Sequence, residues 1–338
     1  MPVRRPRLIA ASALLIAASA LAGCASTANA SPASGPTPSG PQSAATAYPL
    51  SIDNCGTSVT FDRAPERVLA IKSTSIEMML ALGLEDRMIG AAFPDGDYAE
   101  QWAARGDGVP LISEKVPGQE ATLNLEPDLV YAGWESNVTS DGAGDRAALA
   151  SLGVNTFVSP AACQEPDHRP NPLTFDDVFA EIEQVGAIFD VQDAARALVA
   201  DMKERLATVT PASPGLTALW YSSGSDTPFV GAGIGAPQMI MHAAGLTNIA
   251  ADIDDTWSSL SWEAVVDANP DVIVLVDSAW GSTEKKIGVL ESNPATARLP
   301  AVVNHRYLIV PFPAGEAGVR NVEAVQSLVA QLEAIDLP

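Results

Sequence analysis

Short apolar runs rich in Val and Ile recur along the chain and are separated by turn residues. They occupy residues 67–71, 88–93, 129–132, 156–158, 216–221, 272–276 and 307–310. Because these runs alternate little between apolar and polar side chains, they predict β-strands that are covered on both faces. Segments with helical periodicity lie between them, at residues 75–82, 145–151, 238–244, 262–267 and 322–335. This order predicts an α/β fold with mainly parallel sheets.

The region from residue 174 to residue 209 contains no such strand run. Its apolar residues recur with helical spacing, and Pro211 follows the pattern. A helix is therefore predicted across residues 191–210. We expect it to join an N-terminal α/β lobe, residues 48–190, to a C-terminal α/β lobe, residues 211–338.

A repeated motif occurs once in each predicted lobe. Residues 120–131 begin with Glu-Ala, continue after five residues with Pro-Asp, and end in an apolar run; residues 263–274 have the same order. A short helix that begins at the glutamate, ends before the proline and leads into a buried strand explains this spacing. The recurrence indicates that the two lobes repeat one structural unit.

The N-terminus has the pattern of a secretion signal. Three arginines precede an apolar stretch, residues 8–22, which leads to Gly23 and Cys24. This stretch is about 15 residues long, whereas a membrane-spanning helix needs about 20. Small residues before the cysteine resemble the bacterial lipobox, which implies removal of residues 1–23 and lipidation of Cys24. The alternative is a secreted protein that is cleaved elsewhere.

Residues 24–47 are almost entirely Ala, Ser, Thr, Pro and Gly and carry no charge. Such a segment cannot bury a core, so it predicts a disordered tether. A tether behind a lipidated Cys24 would hold the folded part at the extracytoplasmic side of a membrane.

The chain has 41 acidic and 19 basic residues, a formal net charge of −22. This balance argues against nucleic acid as a partner. The acidic surface serves solubility or presents carboxylates to a basic partner. If Cys24 carries lipid, Cys55 and Cys163 remain in an oxidising compartment, and we expect a disulfide between them. Two buried free thiols are the alternative.

The sequence offers no catalytic, metal or cofactor site. Its three histidines, His168, His242 and His305, are far apart and have no ligand spacing. The glycines of residues 231–235 lack the Gly-Lys-Ser/Thr that would complete a phosphate loop, and Ser225 has no nucleophile-elbow context. We therefore predict a protein that is not an enzyme.

The chain resembles the periplasmic solute-binding proteins for ferric siderophores, haem and cobalamin. The segments that carry the resemblance are residues 65–71, 75–84, 120–130, 262–276 and 293–310. It extends from residue 48 to the C-terminus. It implies two Rossmann-like lobes, a single long helix between them, and a ligand cleft where the lobes meet.

The resemblance also implies partners. Members of this family deliver their ligand to the permease dimer of an ABC importer, which an ATPase drives. The family's two docking glutamates correspond to Glu120 and Glu263, one on each lobe. Each of these glutamates alternatively interacts only with the dipole of its own helix. A surface lipoprotein without a transport role, such as a sensor or a ligand-carrying chaperone, is the alternative function.

Ligand contacts are expected from the loops that follow the strands. The candidates are Lys72, Phe93, Trp134, Tyr221, Trp257, Trp280 and Arg320. The aromatic residues suit a flat or ring-shaped ligand, although core packing is the alternative for each tryptophan. Lys72 and Arg320 suit an anionic ligand, or they form ordinary ion pairs with acidic neighbours.

A narrower resemblance concerns residues 71–75, 114–119, 222–226 and 230–237. These segments resemble an actinobacterial subgroup proposed to import the precursor of a deazaflavin coenzyme. That ligand is planar and carries a phosphate, which aromatic walls and Arg320 would accommodate. A ferric siderophore or cobalamin is the broader expectation.

Overall fold

The computed structural model describes residues 44–211 and 215–337. The predicted signal sequence, Cys24 and the tether as far as residue 43 lie outside the described residues. At the end of the predicted tether, Thr46 already contacts the folded part of the chain. Its backbone N–H donates to Asp190 Oδ1 at 2.6 Å, and its hydroxyl donates to the carbonyl of Ala187 at 2.7 Å.

The first lobe begins with an antiparallel hairpin and continues as a five-stranded parallel sheet. Its strands are β1 (Leu50–Asn54), β2 (Thr57–Phe61), β3 (Val68–Ile71), β4 (Met88–Ala92), β5 (Leu111–Ser113), β6 (Leu129–Ala132) and β7 (Asn155–Val158). The sheet order is β5-β4-β3-β6-β7. Its helices are α1 (Ser73–Ala81), α2 (Glu100–Gly106), α3 (Gln119–Leu123) and α4 (Arg146–Ser151).

Two helices connect the lobes, α5 (Phe175–Ile188) and α6 (Gln192–Ala207). They pack against each other as an antiparallel pair, with the Lys203 ammonium 5.0 Å from the centre of the Phe179 ring. Thus α6 occupies the segment predicted as the interlobe helix, and α5 precedes it.

The second lobe contains a six-stranded mixed sheet in which β11, β9, β8, β12 and β13 are consecutive neighbours and β10 also pairs with β8. Its strands are β8 (Thr217–Ser223), β9 (Phe229–Gly231), β10 (Thr247–Asn248), β11 (Trp257–Ser259), β12 (Val272–Asp277) and β13 (Tyr307–Pro311). Its helices are α7 (Ala236–Ala243), α8 (Trp262–Ala268), α9 (Thr283–Ser292), α10 (Pro300–Val303) and α11 (Asn321–Ala334). Strands β8, β10, β12 and β13 pair in parallel, whereas β9 and β11 add antiparallel pairs at one edge.

All seven predicted strand runs form strands, and the predicted α/β class with parallel sheets is confirmed. Strands β3 and β6 are buried along their whole length, as runs without alternation predict. The strands that the sequence did not predict are short or alternate, such as β1 and β2, or lie at sheet edges, such as β5.

The repeated motif has the same structural role in both lobes. The Asp128 carboxylate accepts a hydrogen bond from the backbone N–H of Arg67 at 2.9 Å, just before β3. The Asp271 carboxylate accepts one from the backbone N–H of Thr217 at 2.8 Å, at the start of β8. Each aspartate thereby connects the beginnings of two neighbouring parallel strands, as expected if both lobes repeat one unit.

A buried glutamate attaches α5 to the first lobe. Glu181 accepts hydrogen bonds from the Tyr131 hydroxyl and from the Ser159 hydroxyl, each at 3.0 Å. No cation forms an ion pair with Glu181 in the described ranges. Burial therefore raises the pKa of Glu181 to about 7, although the two donors partly oppose the shift.

This burial predicts a pH-dependent stability. The folded protein keeps a proton on Glu181 between pH 4.5 and about 7, where the unfolded chain has lost it. The free energy of unfolding therefore falls as the pH rises through this window, by about 3 kcal/mol for this one group. Urea unfolding measures the free energy of unfolding of Glu181→Gln minus that of the wild type. We expect this difference to be larger at pH 8 than at pH 4.5 by the same amount. Glu204→Gln, at an exposed position of α6, should show the same difference from wild type at both pH values. An equal wild-type difference at both pH values for Glu181→Gln would contradict the prediction.

Candidate functional site

The residues that follow the parallel strands of both sheets line a cleft between the lobes. In the first lobe Lys72 follows β3 and Phe93 follows β4, while in the second lobe Phe312 follows β13. The carboxyl ends of parallel strands are the usual location of ligand sites in α/β proteins. The cleft contains two adjoining cavities, which share Trp134 as a wall.

The first of these, the aromatic cavity, has a volume of about 250 Å³. Its lining residues are Lys72, Phe93, Trp134, Ser222, Ser223, Phe229, Trp280 and Phe312. On the side of the second lobe, Phe229, Trp257 and Phe312 form a row of nearly parallel rings, with centres 6.2 and 6.4 Å apart. Trp280 meets Phe312 edge to face at 4.7 Å. This arrangement offers flat apolar surfaces to a ligand.

Lys72 lies at the centre of these rings. Its ammonium group is 3.7 Å from the centre of the Trp134 ring and 4.1 Å from that of Phe93, and it forms a buried ion pair with Asp95. Phe312 and Trp280, from the second lobe, complete the enclosure at 5.4 and 5.8 Å. Burial lowers the pKa of Lys72, and the Asp95 carboxylate opposes this effect.

The backbone at Lys72 adopts a conformation that glycine usually occupies, with φ 82° and ψ 150°. Such a conformation costs about 1–3 kcal/mol and occurs preferentially at functional sites. Gly133 allows the adjacent strand end to pass close by, because a Cβ atom there would lie 2.8 Å from Lys72 Cβ and 2.4 Å from Thr74 Oγ1. The strained backbone of Lys72 and the close approach of Gly133 therefore constrain the chain at this position in the cleft.

The second cavity, the polar cavity, has a volume of about 260 Å³ and lies on the other side of Trp134. Its polar lining residues include Thr74, Glu135, Ser159, Gln164, Arg169, Thr256 and Glu316. Glu316 connects the lobes, because its Oε2 accepts a hydrogen bond from Trp134 Nε1 at 2.9 Å. Burial raises the pKa of Glu316 to about 7, while the Trp134 hydrogen bond and Lys72 oppose the shift.

Five of the seven candidate ligand residues line these cavities: Lys72, Phe93, Trp134, Trp257 and Trp280. Tyr221 does not line them. Its ring packs edge to face against Trp262, and its hydroxyl donates to the carbonyl of Gly224 at 2.6 Å. Because Tyr221 lies on a strand that is buried on both faces, its side chain belongs to the core of the second lobe.

Arg320 also lies outside both cavity linings. Its guanidinium forms a buried ion pair with Glu77 of α1, at 3.3 Å, and lies 3.4 Å from the carbonyl of Asp97. It therefore connects α11 of the second lobe to the first lobe. This ion pair is the alternative that the sequence left open for Arg320, and its role in holding an anionic ligand stays a prediction. Burial raises the pKa of Glu77 to about 7, and Arg320 opposes the shift.

Sequence reasoning did not single out Asp95, Phe312 or Glu316. All three lie in loops that follow strands, which is the signal that includes them. The sequence alone did not separate them from their neighbours in those loops.

Glu120 and Glu263 occupy corresponding positions in the two lobes. Glu120 lies in the first turn of α3, which precedes β6, and Glu263 lies in the first turn of α8, which precedes β12. Both side chains are exposed. Their position suits contact with a partner, and their docking role stays a prediction.

A disulfide joins Cys55 to Cys163, with Cα atoms 5.3 Å apart. Cys55 lies in the turn between β1 and β2, and Cys163 lines the polar cavity. The bridge thus ties one wall of the cleft to the N-terminal hairpin.

Within residues 44–211 and 215–337, no cluster of three or more His, Cys, Asp or Glu is arranged to hold a metal ion. In the same part of the chain, no helix combines the length and the apolar character needed to cross a membrane.

Comparison with known proteins identifies relatives over most of the chain. The family model described as periplasmic binding protein matches residues 68–314. A cobalamin-binding protein of Halobacterium salinarum is 31% identical over 242 residues, which span 67% of this chain but only 58% of that protein. The uncharacterized ABC transporter substrate-binding lipoprotein YvrC of Bacillus subtilis is 26% identical over 331 residues, 95% of each chain.

Solved structures with the same architecture include two bacterial proteins. A periplasmic binding protein from Veillonella parvula has a TM-score of 0.75 and 26% identity, covering 85% of this chain and 98% of that one. A protein described as an ABC-type Fe3+-hydroxamate transport system, from Saccharomonospora viridis, has a TM-score of 0.74 and 27% identity, covering 85% and 99%.

Proposed function

The chain belongs to the periplasmic binding protein family, and we propose that it is the substrate-binding lipoprotein of an ABC importer. In this role it captures a small molecule between its lobes and delivers it to a permease dimer that an ATPase drives. The observation that supports this best is the interlobe cleft, where aromatic side chains from both lobes surround two adjoining cavities. Membership of the family places the protein on the extracytoplasmic side, and lipidation of Cys24 would anchor it to the membrane.

The ligand that we propose is of the cobalamin or ferric siderophore class. Relatives with names that state a ligand bind cobalamin or vitamin B12, and a structural neighbour belongs to Fe3+-hydroxamate transport. The parallel rings of Phe229, Trp257 and Phe312 and the enclosed ammonium of Lys72 suit a ligand with flat surfaces and acceptor oxygens. The precursor of a deazaflavin coenzyme is the third candidate.

The cleft must widen to admit ligands of this size. Each cavity is smaller than the roughly 300–1,000 Å³ of ordinary ligand pockets. The contacts that cross the cleft include Trp134 with Glu316, Arg320 with Glu77 and Arg169 with Asp255. We expect the lobes to separate slightly at these contacts, because the paired helices α5 and α6 restrict larger motion.

A thermal-shift panel tests the proposed function. The chain from residue 24, with Cys24→Ser to keep it in solution, is heated with ferrioxamine B, ferrichrome, haem, cyanocobalamin or the deazaflavin precursor. A ligand at a hundred times its dissociation constant adds about 2.7 kcal/mol, which raises the melting temperature by several degrees. Iron-free desferrioxamine is the matched control for ferrioxamine B. Folded protein that responds to none of these ligands would contradict the proposal.

A further inference from the structure

Among the described residues, four charged side chains line the two cavities, and three of these have a partner of opposite charge. Lys72 pairs with Asp95, and Arg169 pairs with Asp255 at 3.7 Å. The cations that face the cleft are therefore already matched by the protein's own carboxylates. This arrangement leaves little positive charge for an anionic ligand.

The two carboxylates that line the polar cavity, those of Glu135 and Glu316, differ in whether they form an ion pair. Glu135 pairs with Arg146 at 3.8 Å, whereas Glu316 forms no ion pair among the described residues. Within the described residues, its carboxylate accepts one hydrogen bond, from the neutral indole of Trp134. Burial raises the pKa of Glu316, as expected for a carboxylate without a cation of its own. Glu316 is thus the surplus negative charge of the cleft.

Three polar atoms on residues that line the polar cavity have no hydrogen-bond partner within the described chain. They are Glu316 Oε1, Arg169 Nε and Thr74 Oγ1, and all three are buried here, so a ligand reaches them only when the cleft widens. A carboxylate oxygen accepts, a guanidinium N–H donates, and a hydroxyl does both. Buried polar atoms are normally paired, so three unpaired atoms around one cavity point to groups of complementary chemistry.

We propose that the polar cavity takes an uncharged part of the ligand that offers both hydrogen-bond donors and acceptors, such as a carboxamide, and that Glu316 selects against anions. A donor of the ligand binds the free oxygen of Glu316, and an acceptor binds Arg169 or Thr74. An anionic group meets the surplus carboxylate instead and is repelled. The inference rests on the proposed function, because it defines the ligand class of the same cleft.

Two pairs of ligands that differ chiefly in charge test this inference. Cyanocobalamin is compared with its monocarboxylic acid, in which one carboxamide is replaced by a carboxylate. Ferrioxamine B is compared with its N-succinyl derivative, in which a carboxylate replaces the terminal ammonium. Affinities are measured by calorimetry at pH 8 with the chain from residue 24 carrying Cys24→Ser. For any pair with a member that the wild type binds, we expect the protein's affinity for the anionic member to be at least about tenfold weaker than for the other.

Glu316→Gln should improve binding of the anionic member by a similar factor and so narrow the ratio of the two affinities within the pair. The glutamine oxygen can still accept the Trp134 hydrogen bond, and a gain of affinity does not arise from misfolding. Glu333→Gln, at an exposed position of α11, is the matched control and should change neither affinity. Equal affinities within a pair, or an unchanged ratio in Glu316→Gln, would overturn the role of Glu316 and leave the proposed function standing. Failure of the wild type to bind any of the four ligands would overturn this inference, while the wider thermal-shift panel decides the proposed function.

Discussion

We expect uptake to fall to background when Glu120 and Glu263 are both replaced by lysine. The two exposed carboxylates lie at corresponding helix starts in the two lobes, so they can meet two equivalent basic sites on a permease dimer. Loss of one well-desolvated charge pair costs about 2–5 kcal/mol, and reversal of the charge adds repulsion. The double variant should therefore dock more than about a hundredfold more weakly. Accumulation of labelled ligand in cells that depend on this protein measures the effect.

Ligand affinity of the same double variant should match the wild type, because neither glutamate lines the cavities. The matched control is Glu204→Lys with Glu333→Lys, which makes the same change in net charge at exposed positions of α6 and α11. It should retain uptake. Normal uptake by Glu120→Lys with Glu263→Lys would contradict the docking role of these two glutamates.

The architecture was predictable because its signals are local. A buried parallel strand produces an unbroken apolar run, as in β3 and β6. The Pro-Asp repeat was visible because it has the same role in both lobes. In each lobe the aspartate carboxylate joins the starts of two strands, through the backbone N–H of Arg67 in the first lobe and of Thr217 in the second. A feature that occurs twice at equal spacing indicates a structural requirement even when its hydrogen bonds are unknown.

The roles of the charged residues were not predictable in the same way. For Arg320 the sequence left open an anionic ligand or an ordinary ion pair, and its partner Glu77 lies 243 positions away. A chain with 41 acidic residues offers too many carboxylates for the sequence to indicate which one pairs with a given cation. The same abundance concealed Glu316, which forms no ion pair within the part of the chain that the structure describes.

The positions of the aromatic candidates were easier to predict than the roles of the charged residues. A large apolar side chain near the end of a strand has few other places to pack. Trp134, Trp257 and Trp280 line the cavities, whereas Tyr221 lies within a strand and packs inward. Trp257 and Phe229 begin the strands β11 and β9, so the cleft aromatics lie at strand ends as well as in loops, whereas Tyr221 lies inside a strand.

Replacement of Cys55 and Cys163 by serine should lower the free energy of unfolding by about 4–5 kcal/mol. The bridge closes a loop with a sequence separation of 108 residues, so its removal gives the unfolded chain much more freedom. Urea unfolding under oxidising conditions measures the loss. Reductant should bring the wild type down to the stability of the double variant and leave the double variant unchanged. A difference below about 1 kcal/mol between the oxidised proteins would contradict the prediction, because it is far below the loop-entropy value.

The same variant separates two roles of the bridge. Cys163 lines the polar cavity, but its neighbour Gln164 is held independently, by a hydrogen bond from its backbone N–H to Glu135 Oε2 at 2.6 Å. We therefore expect ligand affinity to change only a few-fold while stability falls strongly. The reverse result, full stability with lost affinity, would mean that the bridge acts on the wall of the cleft rather than on the unfolded chain.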